Sequence, residues 1–380
     1  MTPAAGPTTN TAMSRPPAIL QVLPALVSGG VERGTVEIAA ALTRAGFRAF
    51  VASAGGPLVA AVEAAGATHV TLPLGAKAPW AIAANAAALA ALVRWEDVAI
   101  LHARSRAPAW AALLAARRTG AHFVTTYHGA YNEGFWGKRL YNSVMARGER
   151  VIAISAFIRD LIIERHHIDS SRIHLIPRGV DPALFDPTHM RPERFGLPPG
   201  TRIVLLPARL TRWKGQEVAV RALALLPPEV ALVLAGGDAE GAFAAELRGL
   251  AAGLGVAERL HLVGLRPDLA PALAGADIIL HASTDPEAFG RTVIEAQAMA
   301  KIVIASDLGA PRETVAEGVT GFRIPPGDPA ALAAAIARVL AMPAEARAAM
   351  GASAREAVLA HYTTAAMQAA TLDVYRELLA

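Results

Sequence analysis

Residues 285–324 read DPEAFGRTVIEAQAMAKIVIASDLGAPRETVAEGVTGFRI, and the rest of the chain is best read outward from them. Two carboxylates, Glu287 and Glu295, flank a turn at Gly290. The second lies on an apolar, alanine-rich run that predicts a helix ending at Lys301, followed by a short strand of buried type, IVIAS, and a turn with glycine and proline. Strand, turn and helix in this succession are the grammar of a parallel α/β sheet. Backbone N–H groups at a helix N-terminus attract phosphate. A cleft that joins such amides to two carboxylates suits a phosphorylated polyol, such as a sugar nucleotide.

The same grammar recurs in both directions. Towards the N-terminus ILQVLPAL, FRAFVAS, THVTLPL, AILHAR, HFVTTYH, VIAIS and RIHLIP are strand candidates, with alanine-rich helices between them and a first helix over about 35–45. A proline-heavy break, RGVDPALFDPTHMRPERFGLPPG, occupies 178–200. Beyond it RIVLLPARL, VALVLAGG, HLVGL, DIILHAS, IVIAS and GFRIP repeat the pattern. Strands alternating with helices predict an α/β fold of two doubly wound domains, with a ligand cleft at the C-terminal ends of the strands. The boundaries read as a disordered tail over 1–16, an N-terminal domain over 17–190, a C-terminal domain over 191–362 and a closing helix over 363–380. That helix shows apolar spacing at Met367, Leu372, Tyr375 and Leu379.

Composition narrows the function classes. A chain of 380 residues favours two domains, and 53% hydrophobic with 18% charged residues describes a soluble globular protein, although alanine inflates the first figure. With no cysteine there is neither disulfide nor thiolate metal site, which fits a cytoplasmic setting. A net charge of +4 is too mild for a nucleic-acid binder and fits an anionic substrate or an acidic membrane surface equally well. The N-terminus lacks a signal-like apolar core, and the longest alanine-rich stretch, 80–93, is too short to span a bilayer, so any membrane contact is expected to be peripheral.

Several strand ends carry residues with chemistry. RLTRWKG, at 209–215, leaves the strand RIVLLPA, so Arg209 and Lys214 sit where two cations can neutralise a diphosphate leaving group without a metal. The alternative is two solvated charges at a turn. Gly29 and Gly30 follow the first strand and their amides suit a phosphate or sugar ring, though neither G-x-G-x-x-G nor a P-loop is present. His128, in VTTYHG, stands at another strand end, as a hydrogen-bonding or a structural histidine. Arg104 and Arg106 either face an anionic acceptor or pair with acidic neighbours. Leu265 and Arg266, after HLVGL, are placed to meet a nucleotide base. Glu287 and Glu295 issue from one turn–helix unit, so they read as a grip on one ligand rather than as the opposed pair of a glycosidase. There is no Asp-x-Asp pair, HExxH or Cys/His cluster, and no metal or other cofactor is expected.

In combination these motifs resemble family 4 glycosyltransferases, retaining enzymes of the GT-B fold. EAFGRTVIE resembles the family's Glu-x7-Glu signature, RLTRWKG its donor-phosphate motif, IPRGVD its Ile-Pro-Asn-Gly-Val-Asp segment, SGGVE its N-terminal glycine loop and TTYHG its strand-end histidine. The likeness runs from about residue 17 to the end. It departs at Arg178, where the family has Asn, and at Arg104, where many relatives have His. The resemblance implies that Arg209, Lys214 and the amides of Gly290, Arg291 and Thr292 hold the donor diphosphate, with Phe289 in the same loop. Glu295 would hold the ribose and Glu287 the transferred sugar, with Gly30 near the phosphates and His128 near the reacting centre. It implies a nucleotide diphosphate sugar as donor and a cell-envelope glycan or glycolipid, of lipopolysaccharide type, as acceptor. A sugar-nucleotide epimerase of the same fold and a silent nucleotide-sugar-binding subunit remain the alternatives. In relatives acting on lipid-linked acceptors, the region matching FWGKRLYNSVMARGER, at 135–150, is an amphipathic element lying on the membrane. Here it reads equally as contact with anionic lipid or as a helix packed on the sheet.

Overall fold

The computed structural model describes residues 15–27 and 29–380; the expected disordered tail, but for its last two residues, lies outside them. The chain divides into two compact units. One holds the described residues up to Ala103 together with Ala107–Phe123, the other Arg104–Arg106 and Val124–Leu378.

In the first unit β1 (Ala18–Val22), β2 (Arg48–Ser53), β3 (Thr68–Thr71) and β4 (Val98–Ala103) run parallel in the order β3-β2-β1-β4. Helices Gly30–Arg44, Val59–Ala64 and Pro79–Glu96 connect them, because parallel neighbours need a crossover. Every residue of β1 is buried, as continuous apolar strands of this class must be. Its one polar residue, Gln21, donates to the Thr35 carbonyl at 3.0 Å. The first helix starts at Gly30 rather than near 35. Glycine is a poor helix former in the interior but is accepted at the N-cap, so Gly29, at φ 146, caps a turn that its sequence disguises.

The second unit contains β5 (His122–Tyr127) from Val124 onward, β6 (Arg150–Ala153) and β7 (Ile173–Leu175), parallel in that order, and the sheet to which β1–β7 belong has seven strands. It also contains a six-stranded parallel sheet: β8 (Arg202–Pro207), β9 (Val230–Ala235), β10 (Leu260–Gly264), β11 (Ile278–His281), β12 (Val303–Ser306) and β13 (Gly321–Ile324), in the order β10-β9-β8-β11-β12-β13. One face of this sheet presents Val204, Leu206, Leu232, Leu234, Ile278 and Leu280 to Val220, Leu223, Leu332, Ile336 and Val339 of two covering helices. Each strand segment read from the sequence forms a strand.

The order of the second sheet positions the site. β8 has β9 on one side and β11 on the other, so the chain departs in opposite directions from the ends of β8 and β11. A crevice opens at the C-terminal ends of strands where the order reverses in this way. Arg209 and Lys214 follow β8, and Glu287 follows β11. The closing helix, Thr364–Leu379, is capped by the Thr363 hydroxyl and buries Met367, Leu372 and Tyr375. Among the described residues no single helix is long and apolar enough to cross a membrane.

Candidate functional site

The segment after β8 is pinned from two sides. Gln216 donates its side-chain amide to the Arg209 carbonyl at 2.8 Å, and Thr284 donates its backbone N–H to the Trp213 carbonyl at 2.8 Å. Gly215 makes the second contact sterically possible. Its φ is +74, and a Cβ there would run into the Ala282 carbonyl just beyond β11. Lys214 is thereby pressed against the segment that leaves β11. Its ammonium lies over the Trp213 ring, 4.2 Å from the centroid, and forms an ion pair with Glu287 Oε1. Burial, with Arg209 as a second cause, lowers the Lys214 pKa to about 8. The touching carboxylate acts the other way and favours the charged form. Arg209 itself is exposed.

Glu287 is held by its backbone. Its carbonyl accepts from Ala310 N at 3.0 Å, and a side chain at Gly309, whose φ is +66, would meet the Glu287 backbone. Its carboxylate also accepts from Ser283 Oγ at 3.4 Å and lies 3.6 Å from His281 Nε2. The loop continues through Ala288, whose carbonyl accepts from Ser155 Oγ at 2.7 Å, and buried Phe289, edge-on to Tyr362 at 6.0 Å. Gly290, at φ +83, caps the helix Arg291–Ala298, so the amides of Arg291 and Thr292 belong to its first turn. Glu295 is buried one turn on, 3.9 Å from Arg291 Nε. Arg291 donates to the Gly179 carbonyl at 3.0 Å and so ties the IPRGVD segment to this helix.

The substitution at Arg178 has a partner. Its guanidinium donates to His128 Nδ1 at 2.6 Å, and since a guanidinium cannot accept, this nitrogen is the acceptor and a neutral ring carries its proton on Nε2. Arg178 is buried and reaches the sulfur of Met367 at 3.9 Å.

The remaining candidates are placed differently. Arg104 is 2% exposed and close enough to Tyr375 to lower the pKa of that phenol against burial, which raises it. Arg106 bonds to Asn142 Oδ1 at 2.9 Å and stacks 4.2 Å over Tyr131. Leu265 is exposed, and Arg266 pairs with Glu193 at 3.1 Å. Gly29 and Gly30 begin the first helix of the other unit. The structure thus joins Lys214 to Glu287 and sets Glu295 and the amides of Arg291 and Thr292 on the adjoining helix. His281, Ser283 and Ser155 belong to the same neighbourhood and were not among the residues singled out by sequence. His281 had a usable signal, because it ends a strand just as the segment of His128 does.

The chain matches two family profiles: that of "Glycosyltransferase Family 4" over residues 28–184 and that of "Glycosyl transferases group 1" over 190–357. It is 36% identical to a glycosyltransferase from Rickettsia africae, with a TM-score of 0.87 over 96% of this chain and 99% of that one. HepE of Anabaena, solved with UDP and glucose, shares the fold at 24% identity, with a TM-score of 0.82 over 94% of this chain and 99% of the other. A curated relative, the D-inositol 3-phosphate glycosyltransferase of Xylanimonas cellulosilytica, is 34% identical over 246 residues, 62% of this chain and 58% of the relative. The chain spans about half the length of the curated relatives it matches, 58%, 46% and 46% for three of them. With the motif set, the two parallel sheets and a full-length match at 36% identity in agreement, the chain belongs to glycosyltransferase family 4 and has the GT-B fold.

Proposed function

We propose that this protein transfers a sugar from a nucleotide diphosphate donor to a cell-envelope glycan or glycolipid, with retention of configuration and without a metal. The observation that carries the reading is the contact of Lys214 with Glu287 at the switch point of the second sheet, beside exposed Arg209 and the first turn of the helix Arg291–Ala298. Cations and amides of this kind stabilise a departing diphosphate electrostatically. The diphosphate bonds to Lys214 and Arg209, and Glu287 and Glu295 take the hydroxyls of sugar and ribose. A phosphate oxygen of the donor accepts the proton of the acceptor hydroxyl on the leaving group's own side, so no protein nucleophile is required. His128, with Nδ1 occupied by Arg178, offers Nε2–H to the sugar. That HepE was solved with UDP and glucose supports a nucleotide-sugar donor.

In this reading residues 17–190 serve the acceptor and 191–362 the donor; that the two profile matches, over 28–184 and 190–357, part near residue 190 supports the division. Gly29 and Gly30 would approach the donor phosphates from the acceptor half, and Leu265 and Arg266 would meet the base. Arg104 and Arg106 would frame the acceptor side through their packing rather than as open charges. Peripheral membrane contact would run through the helix Trp136–Asn142, where Phe135, Trp136 and Leu140 are exposed beside Lys138 and Arg139.

Thermal-shift titration with UDP, GDP and ADP, followed by product analysis of the matching nucleotide sugar, tests the reading. One nucleotide is expected to stabilise the fold, and sugar is expected to leave it only by transfer to an acceptor or to water. Conversion of the donor to an epimer without acceptor would sink the transferase assignment. Sedimentation with anionic vesicles at low salt tests the membrane contact, and absence of binding removes it.

A further inference from the structure

One group beside the Lys214–Glu287 pair has no role in the reaction described above. His281 closes β11 with its side chain 6% exposed, and neither Nδ1 nor Nε2 makes a hydrogen bond among the described residues, so no bond holds the proton on Nδ1 and Nε2 can carry it. A buried polar atom in that state calls for a partner. The Glu287 carboxylate lies at 3.6 Å, and roughly 0.7 Å of movement would bring it to ordinary N–H···O length. Gly290, with no side chain, leaves space on the same nitrogen, since a Cβ there would lie 3.1 Å from it. Burial, with Lys214 as the next cause, pushes the His281 pKa down to about 3, so the ring is neutral at ordinary pH.

We infer that His281 is a positioning residue that takes over the Glu287 carboxylate when the donor diphosphate draws Lys214 away, and so fixes Glu287 towards the transferred sugar. The inference rests on the donor reading above. In the free protein Lys214 holds Glu287, and among the described residues the carboxylate accepts in addition just a long bond from Ser283. A diphosphate competes for that ammonium, and the carboxylate then needs a donor within reach. An uncharged N–H suits the exchange better than a second cation, because it orients the carboxylate without neutralising it. No proton changes owner: the imidazole stays neutral, the carboxylate stays ionised and the ammonium moves to phosphate.

The test compares His281→Leu with His281→Gln, whose amide keeps an N–H donor. Each variant is titrated with whichever of UDP, GDP and ADP stabilises the wild type. Each is then assayed for acceptor-free release of that nucleotide from its glucose, galactose and mannose conjugates. His281→Leu is expected to keep its melting temperature and to bind the bare nucleoside diphosphate within about twofold, while kcat for release falls about 10- to 100-fold, the scale of one hydrogen bond to a charged group. His281→Gln is expected to recover most of that loss. Unchanged kcat in His281→Leu, nucleotide affinity and melting temperature falling together with kcat, or a Gln variant no better than Leu would each overturn the assignment. A wild type that binds none of the three nucleotides, or cleaves none of the conjugates, overturns the donor reading and this inference with it.

Discussion

Residues 209–215 and 104–106 carry the same signal in sequence, basic residues leaving the C-terminal end of a buried parallel strand, and the structure places them in opposite surroundings. After β8, Arg209 is exposed and Lys214 is paired with the Glu287 carboxylate, which the proposed donor phosphate would replace. After β4, Arg104 is 2% exposed next to Tyr375, and Arg106 is bonded to Asn142 and stacked on Tyr131. A cation serves a ligand when its resting partner costs less to lose than the ligand is worth. In the proposed function Lys214 would meet that condition, because Gly215 lets its loop press against Ala282 and brings the ammonium to Glu287. Arg104 is committed to a packed interior, where removal unsettles the fold before it touches chemistry.

The largest expected effect separates the two segments. Substituting Arg209, Lys214 or Glu287 by Ala should lower turnover by about 10²–10³-fold, the scale for one preorganised electrostatic group, with little change in melting temperature. Arg104→Met should do the reverse, losing about 1–3 kcal/mol in urea unfolding while the folded fraction retains most of its turnover. A folded, fully stable and inactive Arg104 variant would show that Arg104 acts in the chemistry rather than in the packing. Gly215→Ala should fall between them. A φ of +74 and the blocked Ala282 carbonyl predict a loss of about 1–3 kcal/mol together with turnover, since the loop must retreat and carry Lys214 with it.

A smaller effect lies in the pH profile. In the proposed reaction Lys214 would bind diphosphate as the ammonium, which exists below its pKa, lowered to about 8 by burial and by Arg209. For the free enzyme, kcat/KM should therefore fall as pH rises through about 8, while kcat, measured with phosphate already on the ammonium, should bend at higher pH. Lys214→Arg should move the alkaline limb of kcat/KM out of range, because a guanidinium keeps its proton. A limb that stays near 8 in that variant would assign it to another group.

Much of this was legible in the sequence, for identifiable reasons. Strands such as VALVLAGG and DIILHAS are continuous apolar runs, and burial on both faces leaves them little other identity. That Lys214 and Glu287 share one crevice was accessible, because each stands at a strand end of the same sheet and topology brings such ends together, but their direct contact was not read from sequence. The start of the first helix at Gly30 was not, because glycine lowers the helical signal where the cap tolerates it. Nor was the bond from Arg178 to His128, residues 50 apart, because no local pattern encodes a long-range pairing. Glu313 illustrates the same limit. It accepts from the N–H groups of Ala156 and Phe157 at the start of the helix Ala156–His166, at 2.8 and 2.6 Å, from 157 and 156 residues away.

Within a single loop the cations also differ. RLTRWKG contains a third cation, Arg212, which the motif reading leaves aside although its charge is the same. In the structure it points away from the crevice contacts, paired with Glu246 at 2.7 Å and lying 5.1 Å over the Phe243 ring, with its side chain 70% exposed. An exposed ion pair of this kind contributes about 0–1 kcal/mol and is screened by salt. Arg212→Ala should therefore change neither turnover nor nucleotide affinity by more than about twofold, and should shift urea unfolding by less than about 1 kcal/mol. If it instead matched Lys214→Ala in turnover, summed positive charge on the loop would be what matters. Delivery of one particular ammonium to one particular carboxylate by Gly215 would then not be what sets turnover.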